Sequence, residues 1–417
     1  MAGDERKPVR DAYDAEVVLF PVKGIAQRAF GLVKMTFKII DGNCRLLQAD
    51  PLLHNLFDES LNPRLRPGCD FWLTKPATDV AVRGSAFAPD GKPVREMQVG
   101  VQIGTRQKRI AVFGDRRIEW KNGAPGISVP ERFEEIPVTY ENAYGGIDWR
   151  VPVLQSDPHY QNAVLEVDWP GLYPRNPFGK GYLVHSDPLD DAMMPNLEDP
   201  TDLLTANRLI VGDPRLWYRQ PLPWCLDWVR PVTWPRCLFF APGDADAWYP
   251  GPEDEQMPEV KRGFLPRDYR TKLKANAADG ILPEFFQEAS YGLVLPNLKG
   301  NEPVMIQGMH PEQPVLTFQL PGTVPAIELV VDGNRKPLRP RLHSIICEPA
   351  EEKVALVWAA DDELPRKFIP GIHKYIPVGI CVNGDEPVLF EAPPTVKEQI
   401  RDANAAQEKK PDETPGK

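Results

Sequence analysis

The chain has no C-x-x-C pair and no long apolar run. It also lacks a concentrated basic patch and a recognisable catalytic signature. Its six cysteines, Cys44, Cys69, Cys225, Cys237, Cys347 and Cys381, are scattered over 417 residues, so neither a disulfide framework nor a thiolate metal site is indicated. Free buried thiols in a reducing compartment are expected. No stretch approaches the roughly eighteen apolar residues of a membrane span, and the charged start Met1 to Lys7 has no apolar signal core; a cytoplasmic protein is expected. With 59 acidic against 49 basic residues, a formal charge of -10, nucleic acid and membrane insertion are excluded as expectations. The densest basic run, Arg106, Lys108, Arg109, Arg116 and Arg117, falls around a hairpin and reads as a solvated turn.

Catalytic patterns are missing too. His54, His159, His185, His310, His343 and His373 include no H-x-H or H-x-x-x-H pair, so no metal or other cofactor is expected. Gly84-Ser85-Ala86 lacks the second glycine of a nucleophile elbow, and Gly179-Lys180-Gly181 is too short to cradle phosphate. No repeat of fixed period is present.

What the chain has in excess is proline, 47 residues, about twice the usual 5%. That disfavours long helices and favours strands joined by rigid turns. Val17 to Phe20 and Leu32 to Ile40 read as strands. In the second, Val33, Met35, Phe37 and Ile39 oppose Lys34, Thr36 and Lys38, the alternation of a half-buried antiparallel strand. Met97, Val99, Val101 and Ile103, a turn at Gly104 to Gln107, and Ile110 to Phe113 form a β-hairpin. Strands return at Val315 to Phe318, Ile327 to Val331 turning at Asp332-Gly333, Leu342 to Cys347 and Val354 to Trp358. Short helices are expected at Asp202 to Ile210 and Leu282 to Ser290. The fold class is therefore mainly β: two antiparallel, sandwich-like lobes at 14–150 and 301–392, and an irregular Pro/Trp-rich middle at 151–300. A loose N-terminus, 1–13, and a disordered tail, 393–417, complete it.

Two glycine-aromatic turns stand out: Tyr140-Glu141-Asn142-Ala143-Tyr144-Gly145-Gly146 and Asn176-Pro177-Phe178-Gly179-Lys180-Gly181-Tyr182. Glycine permits close backbone approach, and tyrosine and proline supply stiff surface. They read as structural or docking corners, and Tyr140, Glu141, Tyr144, Gly145, Gly146, Asn176, Pro177, Gly179, Gly181 and Tyr182 are the candidate partner-binding residues. Tyr140 with Glu141 is also a conceivable proton-transfer pair, with a structural role preferred. In the middle region, Trp224, Trp228, Trp234 and Trp248, with carboxylates Asp187, Asp190, Asp191, Asp244 and Asp246, would suit glycan stacking or hydrolysis; a packed core and solvated turns are the preferred readings.

On Lys75-Pro76-Ala77-Thr78-Asp79-Val80-Ala81-Val82-Arg83-Gly84-Ser85-Ala86, Gly114-Asp115-Arg116, Tyr140 to Gly146, Asn176 to Gly181 and Leu197-Glu198-Asp199-Pro200, the chain resembles the family called domain of unknown function 2169. The resemblance runs from about residue 15 to 360. It implies a cytoplasmic, non-enzymatic accessory protein of type VI secretion systems. Such an adaptor or chaperone helps an effector, often bearing a PAAR-like domain, load onto the VgrG spike. The partners implied are a secretion effector, a PAAR-like protein or VgrG, and no catalytic residue comes with the family. Here Pro242 to Trp248 departs from the family's Gly-Thr-Tyr-Asp type of turn. A carbohydrate-binding or carbohydrate-active protein is the alternative.

Overall fold

A computed structural model describes residues 12–21, 27–53, 70, 75–151, 171–173, 175–185, 191–228, 287–296, 298–364 and 378–390. The expected tail at 393–417, nearly all of the N-terminus, Trp234, Trp248, Asp187, Asp190, Asp244 and Asp246 lie outside the described residues.

Along the chain come β1 (Asp14–Pro21), β2 (Gln27–Ile40) and β3 (Asn43–Leu46), then β4 (Thr78–Val82), β5 (Ser85–Phe87), β6 (Glu96–Ile103) and β7 (Arg106–Phe113). They are followed by β8 (Ile118–Lys121), β9 (Ala124–Ile127), β10 (Glu135–Pro137) and four two-residue strands, β11 (Tyr144–Gly145), β12 (Lys180–Gly181), β13 (Leu197–Glu198) and β14 (Val294–Leu295). The last third holds β15 (Pro303–Gln307), β16 (Val315–Gln319), β17 (Ile327–Val331), β18 (Asn334–Leu338), β19 (Arg341–Glu348), β20 (Lys353–Glu363), β21 (Val378–Val382) and β22 (Val388–Leu389). The chain is mainly β, in several largely antiparallel sheets. Of the expected helices, the first is a single 3-10 turn at Ala206–Arg208; residues 287–290 are not helical, and the rest of the second lies outside the described residues. No helix among the described residues is long and apolar enough to cross a membrane.

The hairpins form where turn chemistry demands them. Ile103 pairs with Arg106 across Gly104-Thr105, a tighter turn than the spacing suggests. Asp332 and Gly333, at φ 50° and 76°, join β17 to β18 with positive φ at both central positions, the geometry whose twist suits a two-residue hairpin.

Strand pairing does not follow sequence order. A five-stranded sheet runs β13-β7-β6-β15-β16, placing Met305 beside Gln102. In a second sheet, ordered β1-β2-β20-β19-β4-β14 with β3 on β2, β19 lies parallel to β4. A third runs β18-β17-β21-β22. The chain divides into two compact units: one of 1–14, 33–324 and 341–359, the other of 15–32, 325–340 and 360–417. Each unit is discontinuous in sequence, and alternation identifies a strand without naming its neighbour.

β2 also differs from a half-buried strand. Lys34 is 3% exposed and Thr36 is fully buried. Lys34 Nζ meets Asp70 Oδ2 at 2.8 Å, and Thr36 Oγ1 accepts from the Asp50 amide at 3.0 Å. Polar side chains on the second face thus pair inward rather than meeting water. Ile118 and Tyr144 form one buried cluster with Tyr173, Tyr182, Met194, Leu209 and Trp217.

Candidate functional site

The two glycine-aromatic turns meet. β11 pairs parallel to β12, Tyr144 opposite Lys180 and Gly145 opposite Gly181. Asn176, 1% exposed, is the hub: its Nδ2 donates to the carbonyls of Tyr140 at 2.7 Å and Tyr144 at 3.1 Å, and its own carbonyl accepts from Gly146 at 2.8 Å. Gly145 adopts φ 151°, and a Cβ there would lie 2.1 Å from the Asn176 carbonyl oxygen, so only glycine fits. Tyr144, Tyr173 and Tyr182 stack beside the turns, Tyr144 edge-on to Tyr173 at 5.3 Å and Tyr173 edge-on to Trp217 at 6.0 Å. The Tyr144 hydroxyl donates to Gln220 Oε1 at 3.1 Å, and that of Tyr173 to the Pro221 carbonyl at 2.9 Å. Burial, reinforced by the neighbouring tyrosines, holds the Tyr144 phenol well above its ordinary range.

The candidate residues, read as structural or docking corners, lie largely inside the fold. Tyr140, Tyr144, Gly145, Gly146, Asn176, Pro177, Gly181 and Tyr182 are buried; only Glu141 and Gly179 are partly exposed. Glycine that admits close backbone approach and tyrosine that fills a corner are what an interior needs as well, so the sequence signal did not separate the two.

A polar cluster the sequence did not single out underlies the Lys75 to Ala86 motif. Lys75 Nζ lies 2.6 Å from Asp79 Oδ2 and 3.5 Å from Glu288 Oε2, all three side chains being almost fully buried. Asp79 also accepts from Gln287 Nε2 and the Glu288 amide, each at 2.8 Å. Burial alone would lower the Lys75 ammonium, but the Asp79 and Glu288 carboxylates outweigh it and hold it above its usual value. Among the described residues Lys108, on β7, pairs with no carboxylate: Nζ donates to Ser290 Oγ at 2.7 Å and the Tyr291 carbonyl at 2.6 Å, and lies 4.0 Å from the centre of the Trp224 ring. Burial pushes it down to about 7, against the pull of Cys225 and Asp199. Residues 287–291 are thereby fastened to β4 by Lys75 and to β7 by Lys108. Cys225 is pushed up to about 12 by burial, an inert thiol.

Asp148 is another satisfied carboxylate. Asp148 takes Arg150 and the amides of Val184 and His185; burial opposes its ionisation, but these donors hold the carboxyl below its usual value. Among the described residues no three His, Cys, Asp or Glu side chains are grouped to hold a metal ion. Trp224 donates Nε1 to the Arg109 carbonyl at 2.8 Å, and Trp228 is 2% exposed beneath Arg83.

An open feature among the described residues lies on β6, β15 and β16 beside Gly42. A shallow groove of about 390 Å³ is lined by Gly42, Gln102, Gly104, Pro303, Val304, Met305, Thr317, Phe318 and Gln319, with no charged residue among them. Sequence alternation marks each strand, but only the β15–β6 pairing assembles them into one surface.

Over residues 26–359 the chain matches a family described as uncharacterized protein conserved in bacteria (DUF2169). Comparison with curated proteins and with solved structures returns no match.

Proposed function

This chain belongs to that bacterial family, and we propose that it is a non-enzymatic adaptor or chaperone, acting in the cytoplasm. It holds a type VI secretion effector or a PAAR-like protein and helps load it onto the VgrG spike. The observation that carries the binding role is the uncharged groove on β6, β15 and β16. About a quarter of the chain's residues are charged, yet this surface has none, and depletion of charge marks the core of protein interfaces. The groove is also shallow, whereas small-molecule sites enclose most of their ligand; a polypeptide partner suits it better. The buried Lys75, Asp79 and Glu288 are spent on one another, which supports a scaffold rather than a catalyst.

The specific machinery comes from the family resemblance in the motifs around Lys75, Tyr144 and Asn176. A carbohydrate-binding role is not carried further, because one face of Trp224 is occupied by Lys108 and Trp228 is buried. The test is co-expression of the tagged chain with each effector or PAAR-like protein encoded beside it. A stoichiometric complex surviving gel filtration is expected with one of them; failure with all of them would overturn the proposal.

A further inference from the structure

We propose that Trp149 anchors this chain to its client, its indole being held on a braced turn for insertion into an apolar pocket of that protein. That the partner is a client rests on the adaptor reading above. Trp149 is 55% exposed, whereas Trp217, Trp228 and Trp358 are 2 to 3% exposed, and tryptophan is on average a highly buried residue. The turn that carries it is fastened on every side. Val151 donates its amide to the Asp148 carbonyl at 3.3 Å, which puts Trp149 and Arg150 at the two central positions. The Asp148 amide donates to the Gly171 carbonyl at 2.9 Å. A Cβ on Gly171 would lie 2.1 Å from the Asp148 carbonyl oxygen, so this approach requires glycine. The Asp148 carboxylate, 4% exposed, accepts from the Arg150 amide at 3.1 Å and from Arg150 Nε at 2.8 Å and Nη2 at 2.9 Å. It also accepts from the amides of Val184 at 2.9 Å and His185 at 3.1 Å.

Both glycine-aromatic motifs lead into this brace: Gly145-Gly146 runs on to Asp148, and Gly181-Tyr182 runs on to Val184 and His185. The buried corner thus positions an exposed side chain a few residues further along. A side chain fixed before docking loses less conformational freedom on binding, and tryptophan is enriched among the residues that dominate interface energetics. The surroundings select the partner. Asp148 and Arg150, the charges that flank Trp149 in sequence, are paired with each other, whereas a sugar stacked on the indole would need placed polar groups to fix it. A formal charge of -10 opposes anionic membranes and nucleic acid. An apolar pocket on a protein suits the large area of the ring.

The experiment places the photo-crosslinking residue p-benzoylphenylalanine at position 149 of the full chain, in the bacterium that encodes it. The crosslinked protein is identified by mass spectrometry, purified and titrated against wild type, Trp149→Ala and Trp149→Phe. An effector or PAAR-like protein is expected, bound at least about thirtyfold more weakly by Trp149→Ala, the scale of an interface hot spot. Trp149→Phe keeps a ring at the site and should lose less; it answers for the alanine variant should that fail to fold. No crosslink, a crosslink to a second copy of this chain, or affinities within about threefold for all three proteins overturns the inference. The two readings fail separately. A crosslinked partner whose binding depends on Trp149 but which has no part in secretion would keep the anchor and remove the adaptor role. An effector bound equally by all three proteins would keep the role and remove the anchor.

Discussion

Replacing Lys108 by methionine should abolish a specific pH dependence of stability. Lys108 is 4% exposed and its ammonium is pushed down to about 7 by burial, against an ordinary value of 10.5. Between those values the unfolded chain binds a proton that the folded chain does not, so the wild type gains stability as pH rises. The penalty of the buried cation is full below pH 7 and is relieved progressively toward pH 10.5. Each pH unit in that window contributes at most about 1.4 kcal/mol, or about 3 kcal/mol between pH 7 and pH 9. The thioether of the Lys108→Met variant carries no proton, and every other titrating group is common to both proteins. The stability difference, wild type minus Lys108→Met, should therefore shift in favour of wild type by up to about 3 kcal/mol across that range. The variant loses the Ser290 and Tyr291 hydrogen bonds and the Trp224 contact at every pH, which offsets the curve without tilting it. Urea unfolding followed by circular dichroism at half-unit pH steps reads this directly. A difference independent of pH would refute the reasoning.

Gly145→Ala should prevent the native turn from forming, since a Cβ 2.1 Å from a backbone carbonyl has no side chain to displace; soluble yield and thermal unfolding report it. Tyr144→Ala should cost about 3 to 5 kcal/mol as a large core truncation, and its effect on client binding should vanish at temperatures where the variant remains folded. Asp79→Asn should destabilise by about 3 kcal/mol by removing the nearer of the two carboxylates that the buried Lys75 ammonium faces, while Lys75→Met combined with Asp79→Leu and Glu288→Gln costs less than the sum of the single changes; denaturant titrations of the set check this. Tyr173→Phe should cost about 1 kcal/mol by removing its bond to the Pro221 carbonyl, measured in the same way.

The local fold was legible where physics is local. Alternation at Met97 to Ile103 and an Asp-Gly turn at 332–333 specify hairpins that the structure contains. Pairings across two hundred residues were not legible: β15 on β6 and β4 beside β19 depend on shape complementarity that no period reveals. For the same reason Lys34 and Thr36, polar by alternation, are buried against Asp70 and the Asp50 amide. The glycine-tyrosine turns stood out in the sequence and meet in the structure, with Asn176 joining them, yet their burial was invisible because docking and packing draw on the same residue types. The Lys75 and Lys108 anchors were hidden because their partners at 287–291 lie about two hundred residues away.

The adaptor role is tested most directly by secretion. In a strain deleted for this chain, the effector that co-purifies with it should disappear from the culture medium and accumulate or degrade in the cell, while an unrelated substrate of the same secretion machine is still exported. Export of that effector at the wild-type level would contradict the account.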